Sequence, residues 1–302
     1  MGIVLGENQY GKAENRVVRV YRDTARHEIR DFNVSSALRG DFTDAHITGD
    51  QAAVLPTDTQ KNTAFAFAKE KAFSSPEEYA LTLGKHFLEA CPASNGSRVE
   101  IEEYFWDRIE VGGQGHDHSF VRRGPEVRTT VVTTDASSEG TKQWVVSGLR
   151  DLVVLKSTGS GFRGFLKDKY TTLQETEDRI MATSMVVRWR HENSDVADFD
   201  ASFADIRRIL LEAFAAEYSE ALQQTLYQMG TAVLKAHENV AEIKFSAPNK
   251  HHFVVDLSPF GLENNNEVFI AADRPYGLIE ATVTRENGSD AGLAWKATPG
   301  FC

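Results

Sequence analysis

The sequence predicts an α+β fold in which antiparallel strands and a few amphipathic helices occur in the same order in two halves of the chain. Apolar and polar residues alternate in the predicted strands, and apolar residues recur every three or four positions in the predicted helices. The order strand pair, helix, strand pair occurs once on each side of about residue 125. We therefore predict two tandem repeats, residues 1–125 and 126–302.

The first half begins with predicted strands at residues 16–21 and 29–38. A helix is predicted to begin after Ser75, which has the side chain of a capping residue, with Pro76 at the first helical position and Glu78 at the third. In the long strand that follows, apolar and charged residues occupy opposite sides. The apolar side comprises Val99, Ile101, Phe105, Ile109 and Val111.

The second half repeats this order. Strands are predicted at residues 127–133 and 153–155, before a helical region with apolar residues at helical spacing between Phe203 and Val233. Strands at residues 242–246, 252–257 and 278–285 close the half. In each half a hydrophobic strand is predicted to run into a polar segment, at residues 57–59 and 157–159.

The predicted sheets need a partner at their open edges. Helices cover one face of each sheet, whereas the polar residues on the other face indicate water or a tunnel through an assembly. Unpaired strand edges favour association, so we expect a symmetric oligomer whose sheets join into a barrel.

The composition excludes several classes of protein. Of 302 residues, 41% are hydrophobic and 25% charged, as in an ordinary globular protein, and the net charge of −11 argues against a broad nucleic-acid-binding face. No apolar run approaches the ~20 residues that span a bilayer, and no secretory leader is evident, so we expect a cytoplasmic protein without a membrane partner. The two cysteines, Cys91 and Cys302, do not form a disulfide framework.

The clearest candidate for a binding loop follows the strand at residues 153–155. Gly159, Gly161 and Gly164 allow tight turns and a close approach of the backbone to a ligand. Phe162 lies among these glycines and offers a flat stacking surface, and Arg179 offers a planar donor fork for an oxygen-rich partner. A plain turn and a surface ion pair remain the alternative interpretation.

Two histidine-containing segments are candidates for chemical sites. His251 and His252 follow Asn249 and Lys250 between two predicted strands, and because adjacent strand residues point to opposite faces, proton handling by one imidazole is favoured over metal binding. The spacing of His116 and His118 suits zinc or iron, but the surrounding GGQGHDHSF predicts a loop, so we expect no metal site. No dinucleotide, phosphate-loop or nucleophile motif occurs, and we expect no cofactor.

Seven blocks of the chain, in order, closely resemble the urate oxidase (uricase) family, which has the tunnelling fold. They are YGK at residues 10–12, TDTQKNT at 57–63, HDHSF at 116–120, LKSTGSGFRGF at 155–165, YTTLQETEDRI at 170–180, ALQQTLYQM at 221–229 and PNKHHF at 248–253. Several blocks in register are far more specific than any single motif. The resemblance implies cofactor-free oxidation of urate by O₂, a co-substrate, to 5-hydroxyisourate and hydrogen peroxide.

The resemblance also assigns roles to individual residues, some of which are unremarkable from the sequence alone. Lys12, Thr57 and His251 match catalytic positions, with the lysine and the threonine forming a proton relay. The substrate-binding positions are matched by Thr57, Asp58, Phe162, Arg179, Leu222, Gln223 and Asn249. Phe162 would stack on the purine, Leu222 would use its backbone N–H, and Asn249 would lie where O₂ or water sits.

Two departures from the family are small, and two other functions remain open. Leu222 stands where some relatives have a smaller side chain, and the final Gly300-Phe301-Cys302 is not a peroxisomal signal, which favours a bacterial-type cytoplasmic enzyme. The resemblance implies a homotetramer with shared active sites. The alternatives are a pterin or purine-ring hydrolase of the same fold, which would anchor its heterocycle with a glutamate, and a non-catalytic purine-binding protein.

Overall fold

The computed structural model describes residues 2–71, 73–137, 140–272 and 274–296. These residues form two compact units. Unit 1 contains the described residues up to Gly148, Arg190–Phe203 and those from Ser289 onward, and unit 2 contains Leu149–Trp189 and Ala204–Gly288. The repeat boundary near residue 125 concerns internal similarity, which the compactness of the units does not measure, and it stays a prediction. Cys302 lies outside the described residues.

Unit 1 is built on four antiparallel strands in chain order. They are β1 (Tyr10–Tyr21), β2 (Glu28–Gly40), β3 (Ser94–Val111) and β4 (Gln114–Asp135). Each strand pairs with the next, β1 with β2, β2 with β3 and β3 with β4. Gly112 and Gly113, both with positive φ, form the tight turn between β3 and β4, because two left-handed residues suit the twist of a hairpin.

Three helices connect β2 to β3: α1 (Thr43–Ile47), α2 (Thr57–Glu70) and α3 (Pro76–Ala90). The predicted start of α3 is confirmed, since the Ser75 hydroxyl accepts a hydrogen bond from the backbone N–H of Glu78 and Pro76 occupies the first turn. Helix α3 packs on the sheet through apolar side chains that are fully buried. These side chains include Tyr79, Leu83 and Phe87.

A buried group of charges crosses the core of unit 1. The Arg128 guanidinium contacts Glu77 at 2.7 Å, Asp200 at 2.6 Å and Glu103 at 3.4 Å. Arg30 pairs with Glu103 at 2.6 Å and also with Asp200. Because isolated charges are very costly in a protein interior, these groups depend on one another. The sequence patterns gave no sign of this cluster.

Unit 2 contains most of the remaining elements. In chain order these are β5 (Lys142–Lys156), β6 (Met181–His191), α4 (Phe199–Ala216), α5 (Leu222–Ala236), β7 (Val240–Val254), β8 (Phe269–Ala272) and β9 (Leu278–Thr284). The unit boundaries fall within β5, β6 and α4. Strand β7 pairs antiparallel with both β8 and β9. The predicted antiparallel α+β fold is thus confirmed in the described residues.

Several local predictions were wrong or incomplete. Thr57 begins helix α2 instead of ending a strand, and Pro56 immediately precedes it. The segment around His116 belongs to β4 instead of a loop, because the two-glycine turn pairs it with β3. Strand β6 was not predicted, and β7 continues through residues 246–253, where a connection was expected. Pro248 is tolerated in β7 because it lies where pairing changes from β9 to β8.

No helix in the described part of the chain is both long and apolar enough to cross a membrane.

Candidate active site

The loop that follows β5 is held by backbone hydrogen bonds on both sides of Phe162. The N–H of Phe162 donates to the carbonyl of Thr176 at 2.8 Å, and the N–H of Thr176 donates back at 3.0 Å. On the other side, Gly161 N–H donates to the Ser219 carbonyl at 2.8 Å, and Ser219 N–H donates to the Gly159 carbonyl at 3.0 Å. The glycine-rich segment is therefore an ordered platform that presents an aromatic ring.

Arg179 lies against this ring. Its guanidinium carbon is 5.1 Å from the centre of the Phe162 ring, and its backbone N–H donates to the Ser160 carbonyl at 2.8 Å. The Nε atom is buried and has no hydrogen-bond partner among the described residues. Burial lowers the pKa of Arg179, which remains a cation at any physiological pH. The arrangement leaves a guanidinium donor next to a stacking surface.

Gly161 leaves room for the side chain of Tyr218. A Cβ at this position would lie 2.4 Å from the hydroxyl oxygen of Tyr218, which donates to the Glu177 carbonyl at 2.6 Å. The neighbouring Asp178 accepts hydrogen bonds from the Thr158 hydroxyl at 2.8 Å and from the Gly159 N–H at 3.0 Å. These contacts bind the segment that carries Arg179 to the glycine-rich loop.

Helix α5 begins just after Ser219, the residue that is bonded to the glycine-rich loop. Its N-cap, Ala221, provides no side-chain cap. The first N–H groups of a helix have no acceptor inside the helix and suit an anionic or carbonyl oxygen. Leu222 is buried, so only its backbone N–H can serve a ligand, whereas the Gln223 side chain is exposed. Ser219 thus brings the start of α5 to the loop of Phe162.

Strand β7 carries the two remaining candidates of unit 2. Asn249 and His251 are two residues apart on the strand, so their side chains lie on the same face. The His251 ring stacks on Phe253 at 5.7 Å between ring centres. His252 points the other way, and its Nδ1 lies 3.1 Å from the Lys250 carbonyl.

The other three candidates lie in unit 1. Lys12 is half-buried in β1, directly opposite Ser36 of β2. Thr57 is the first residue of α2, and Asp58, the second, is exposed. A hydrogen bond from Lys61, together with its charge and that of Lys12, lowers the pKa of Asp58. Helix α2 packs against β1, the strand that carries Lys12.

The candidates thus form two groups. In unit 2, Phe162 and Arg179 are in direct contact, and Ser219 connects their loop to the start of α5, which carries Leu222 and Gln223. In unit 1, Lys12 lies in β1, and helix α2, which begins with Thr57 and Asp58, packs against this strand. Asn249 and His251 share a face of β7.

His116 and His118 are arranged for mutual packing. Their rings are perpendicular, with 4.5 Å between centres, and His116 Nδ1 accepts the backbone N–H of His118 at 3.3 Å. Within the described ranges, no three His, Cys, Asp or Glu side chains are grouped so that they could hold a metal ion.

Sequence reasoning missed the residues that hold the loop in place. Ser219, Thr176 and Asp178 make the bonds that hold the loop of Phe162, although no role was predicted for any of them. Asp178 directly precedes Arg179, and from the sequence alone this pair indicates only a surface ion pair. A serine shortly before an amphipathic helix was the one local signal for Ser219.

Sequence comparison gives close relatives over nearly the full length of the chain. The family described as "Uricase" matches residues 8–133 and 145–280. A uricase of Arthrobacter globiformis is 56% identical over 300 residues, covering 99% of this chain and 96% of the relative. A uricase of Dictyostelium discoideum is 39% identical over 284 residues, covering 93% and 97%.

Comparison of structures gives the same family. The crystal structure of uricase from Arthrobacter globiformis superposes with a TM-score of 0.92 at 55% identity, covering 98% of this chain and 100% of that one. A uricase structure from Bacillus fastidious gives a TM-score of 0.82 at 25% identity, covering 92% and 93%.

Proposed function

The chain belongs to the uricase family, and from this premise we infer that it is a urate oxidase. It oxidises urate with O₂ and water to 5-hydroxyisourate and hydrogen peroxide. The fold is the tunnelling fold of that family. The observation that carries the inference is 56% identity to a uricase over 99% of the chain.

In unit 2, Phe162 and Arg179 form the centre of the proposed urate-binding surface. The ring of Phe162 would stack on the purine, and the adjacent guanidinium of Arg179 would donate to its oxygens. Gln223 and the backbone N–H of Leu222, at the start of α5, would bind other polar atoms on the purine edge. The free Nε–H of Arg179 supports this role, because a buried donor needs a partner.

Lys12 and Thr57 are proposed to move protons between urate, its bound water and the protein, with Thr57 and Asp58 contacting the far edge of the ring. A lysine accepts a proton only when it is neutral, and a neighbouring hydroxyl can carry that proton onward. His251 would complete the catalytic group from β7. Asn249, on the same face of β7, would hold O₂ or water above the purine.

We propose that no cofactor takes part in this reaction. Removing protons from urate makes the ring electron-rich, and two electrons then pass from urate to O₂, which becomes hydrogen peroxide. Water supplies the hydroxyl group of the product. The protein would contribute orientation, proton transfer and a shielded pocket.

We further propose a homotetramer in which the Lys12 and Thr57 of one protomer serve the Phe162 and Arg179 of its partner. Exposed apolar side chains of β7, β8 and the segments around them support a large association surface. They include Phe253, Val254, Ile270, Tyr276 and Leu278.

We also propose a cytoplasmic location, which cell fractionation would test.

The function is tested by following the loss of urate absorbance together with peroxide formation in air. We expect stoichiometric peroxide from the wild type and much lower turnover from Lys12→Met, with little change in the affinity for urate. Lys85→Met is the matched control, because Lys85 is an exposed lysine on α3. Urate bound without turnover would instead identify a purine-binding protein.

The absence of a cofactor has its own test. We expect activity to survive exhaustive chelation with the metal content measured. Activity that vanishes on chelation and returns with one added metal would favour a metal-dependent enzyme, and ring opening without peroxide would favour the hydrolase.

A further inference from the structure

Helix α2 contains a buried amide side chain one turn after Thr57. Gln60 is only 1% exposed, although glutamine is usually found at the surface. Its Oε1 accepts a hydrogen bond from the Ser36 hydroxyl at 2.7 Å, and its Nε2 donates to the Leu55 carbonyl at 3.4 Å. Because an unpaired buried amide is costly, these bonds fix the position of Gln60 and of the helix turn that carries it.

Ser36, the donor of the hydrogen bond to Gln60, is paired with Lys12. Ser36 lies directly opposite Lys12 in the pairing of β1 with β2. The strands are unusually close here, since a Cβ on Gly11 would lie 1.7 Å from the Ser36 carbonyl oxygen. The backbone of Lys12 therefore cannot move independently of Ser36.

The backbone just after Lys12 is also held by β2 and α2. The pairing of β1 with β2 shifts register between Lys12 and Asn15, with Glu14 at a φ of 56°. The N–H of Glu14 donates to the Ser35 hydroxyl at 3.0 Å, and Asn15 Nδ2 donates to the Lys61 carbonyl at 3.5 Å. A bulge of this kind redirects a neighbouring side chain.

We propose that Gln60 is a positioning residue for the proton relay, acting through Ser36. The hydrogen bond between Gln60 and Ser36 joins the helix turn that begins with Thr57 to the strand position that faces Lys12. It would thereby set the distance between the lysine and the threonine. This inference rests on the proposed function, because a fixed distance between these two side chains matters only if a proton passes between them.

A purely structural role would lower stability without a specific effect on proton transfer, and the test separates the two. We expect Gln60→Leu, which keeps most of the volume and removes the hydrogen bonds, to lower kcat roughly tenfold or more. The affinity for a non-reactive purine analogue should change by less than about twofold, because the proposed stacking and guanidinium contacts, at Phe162 and Arg179, lie in unit 2 and are unchanged. The solvent deuterium isotope effect on kcat should rise. Ser36→Ala should act in the same direction.

The matched control is Thr130→Val. Thr130 is equally buried, and its hydroxyl donates at 2.9 Å to Glu77, a member of the buried charge cluster of the same unit. This substitution should lower thermal stability and leave kcat within about twofold of the wild type.

A double-mutant cycle with Lys12→Met is decisive. If Gln60 acts through the relay, Gln60→Leu should lower the residual turnover of Lys12→Met much less than it lowers that of the wild type. The inference is overturned, and the proposed function left intact, if Gln60→Leu lowers kcat by the same factor in both backgrounds. The same holds if the wild type is active and neither Gln60→Leu nor Ser36→Ala changes its kcat. If Gln60→Leu fails to fold, Ser36→Ala in the same cycle decides. A wild type that does not consume urate overturns both.

Discussion

At the scale of single residues, the candidate site depends on the shape of Arg179 as much as on its charge. Its guanidinium lies over the Phe162 ring, and a flat ion can stay there while it donates in the plane of a bound purine. An ammonium group on a flexible stem cannot present several donors in one plane.

We therefore expect Arg179→Lys to weaken urate binding roughly tenfold or more even though the charge is retained. The measurement is the KM for urate together with the dissociation constant of a non-reactive analogue. Arg208→Lys, on the exposed face of α4 with its partners Asp205 and Glu212, is the control and should change neither value. Unchanged binding by Arg179→Lys would remove this residue from the site.

The buried charge cluster of unit 1 shows how burial and pairing compete at single groups. Burial alone would raise the pKa of Asp200, but Arg128 and Arg30 together lower it. For Glu103, which is more deeply buried, burial outweighs both arginines and the pKa is raised. The two carboxyl groups therefore affect the pH dependence of stability with opposite signs.

Asp200→Asn should lower the free energy of unfolding at pH 7. Folding lowers the pKa of Asp200, so the ionised carboxylate stabilises the folded state. This contribution to the free energy of unfolding is fully present above the pKa of the unfolded state, about 3.9, and is lost as the pH falls through the pKa of the folded state. The difference in the free energy of unfolding between wild type and variant should thus be constant from pH 7 to 5 and shrink below about pH 4. Urea unfolding at equal protein concentration measures it. Asp195→Asn, at an exposed site, is the control, and a gap that widens in acid would contradict the assignment.

At the scale of elements, local capping bonds fix where a helix begins. Ser75 is fully buried and caps α3, while the Glu78 carboxylate accepts the backbone N–H of Ser74 at 2.7 Å. Helix α3 packs on β2, β3 and β4, so its first turn also places Glu77 beside Arg128.

Ser75→Ala should destabilise the protein by about 0.5–2 kcal/mol, and Ser75→Gly by less, because glycine is tolerated at an N-cap. Thermal unfolding of both variants at one protein concentration provides the comparison. If Ser75→Ala and Ser75→Gly lower the stability equally, the Ser75 hydroxyl is not acting as a cap.

At the scale of the whole molecule, the candidate residues are divided between two units. Lys12 and Thr57 belong to unit 1, and Phe162, Arg179 and Gln223 belong to unit 2. The proposed tetramer makes this division functional, because sites shared between protomers would require each chain to contribute both groups.

Mixing two inactive variants tests that proposal. When equal amounts of Lys12→Met and Arg179→Ala are unfolded and refolded together, half of the pairs are mixed, and in each mixed pair one of two sites is intact. About a quarter of wild-type activity should return if pairs share sites reciprocally. Activity no higher than that of the separate variants, despite demonstrated subunit exchange, would place both residues in a site within one chain.

The sequence by itself determined the antiparallel α+β class, the start of α3 and the identity of the candidate residues. Each of these depends on patterns that span a few residues: alternation for strands, helical spacing for α4 and α5, and a serine with proline and glutamate for the cap. The seven blocks that resemble the uricase family are likewise readable without coordinates. The contribution of the tertiary structure lies in contacts between distant parts of the chain.

Only the tertiary structure decided that β7 continues past Pro248, that His116 lies in a strand and that Gln60 binds Ser36. Proline is acceptable in β7 because β8 and β9 take different parts of the strand, and Gln60 is buried because a hydroxyl 24 positions earlier satisfies it. In the same way, Arg128 is stable in the core because three carboxylates surround it. The energy of a buried polar group depends on its partner, and a partner far away in sequence leaves no local pattern.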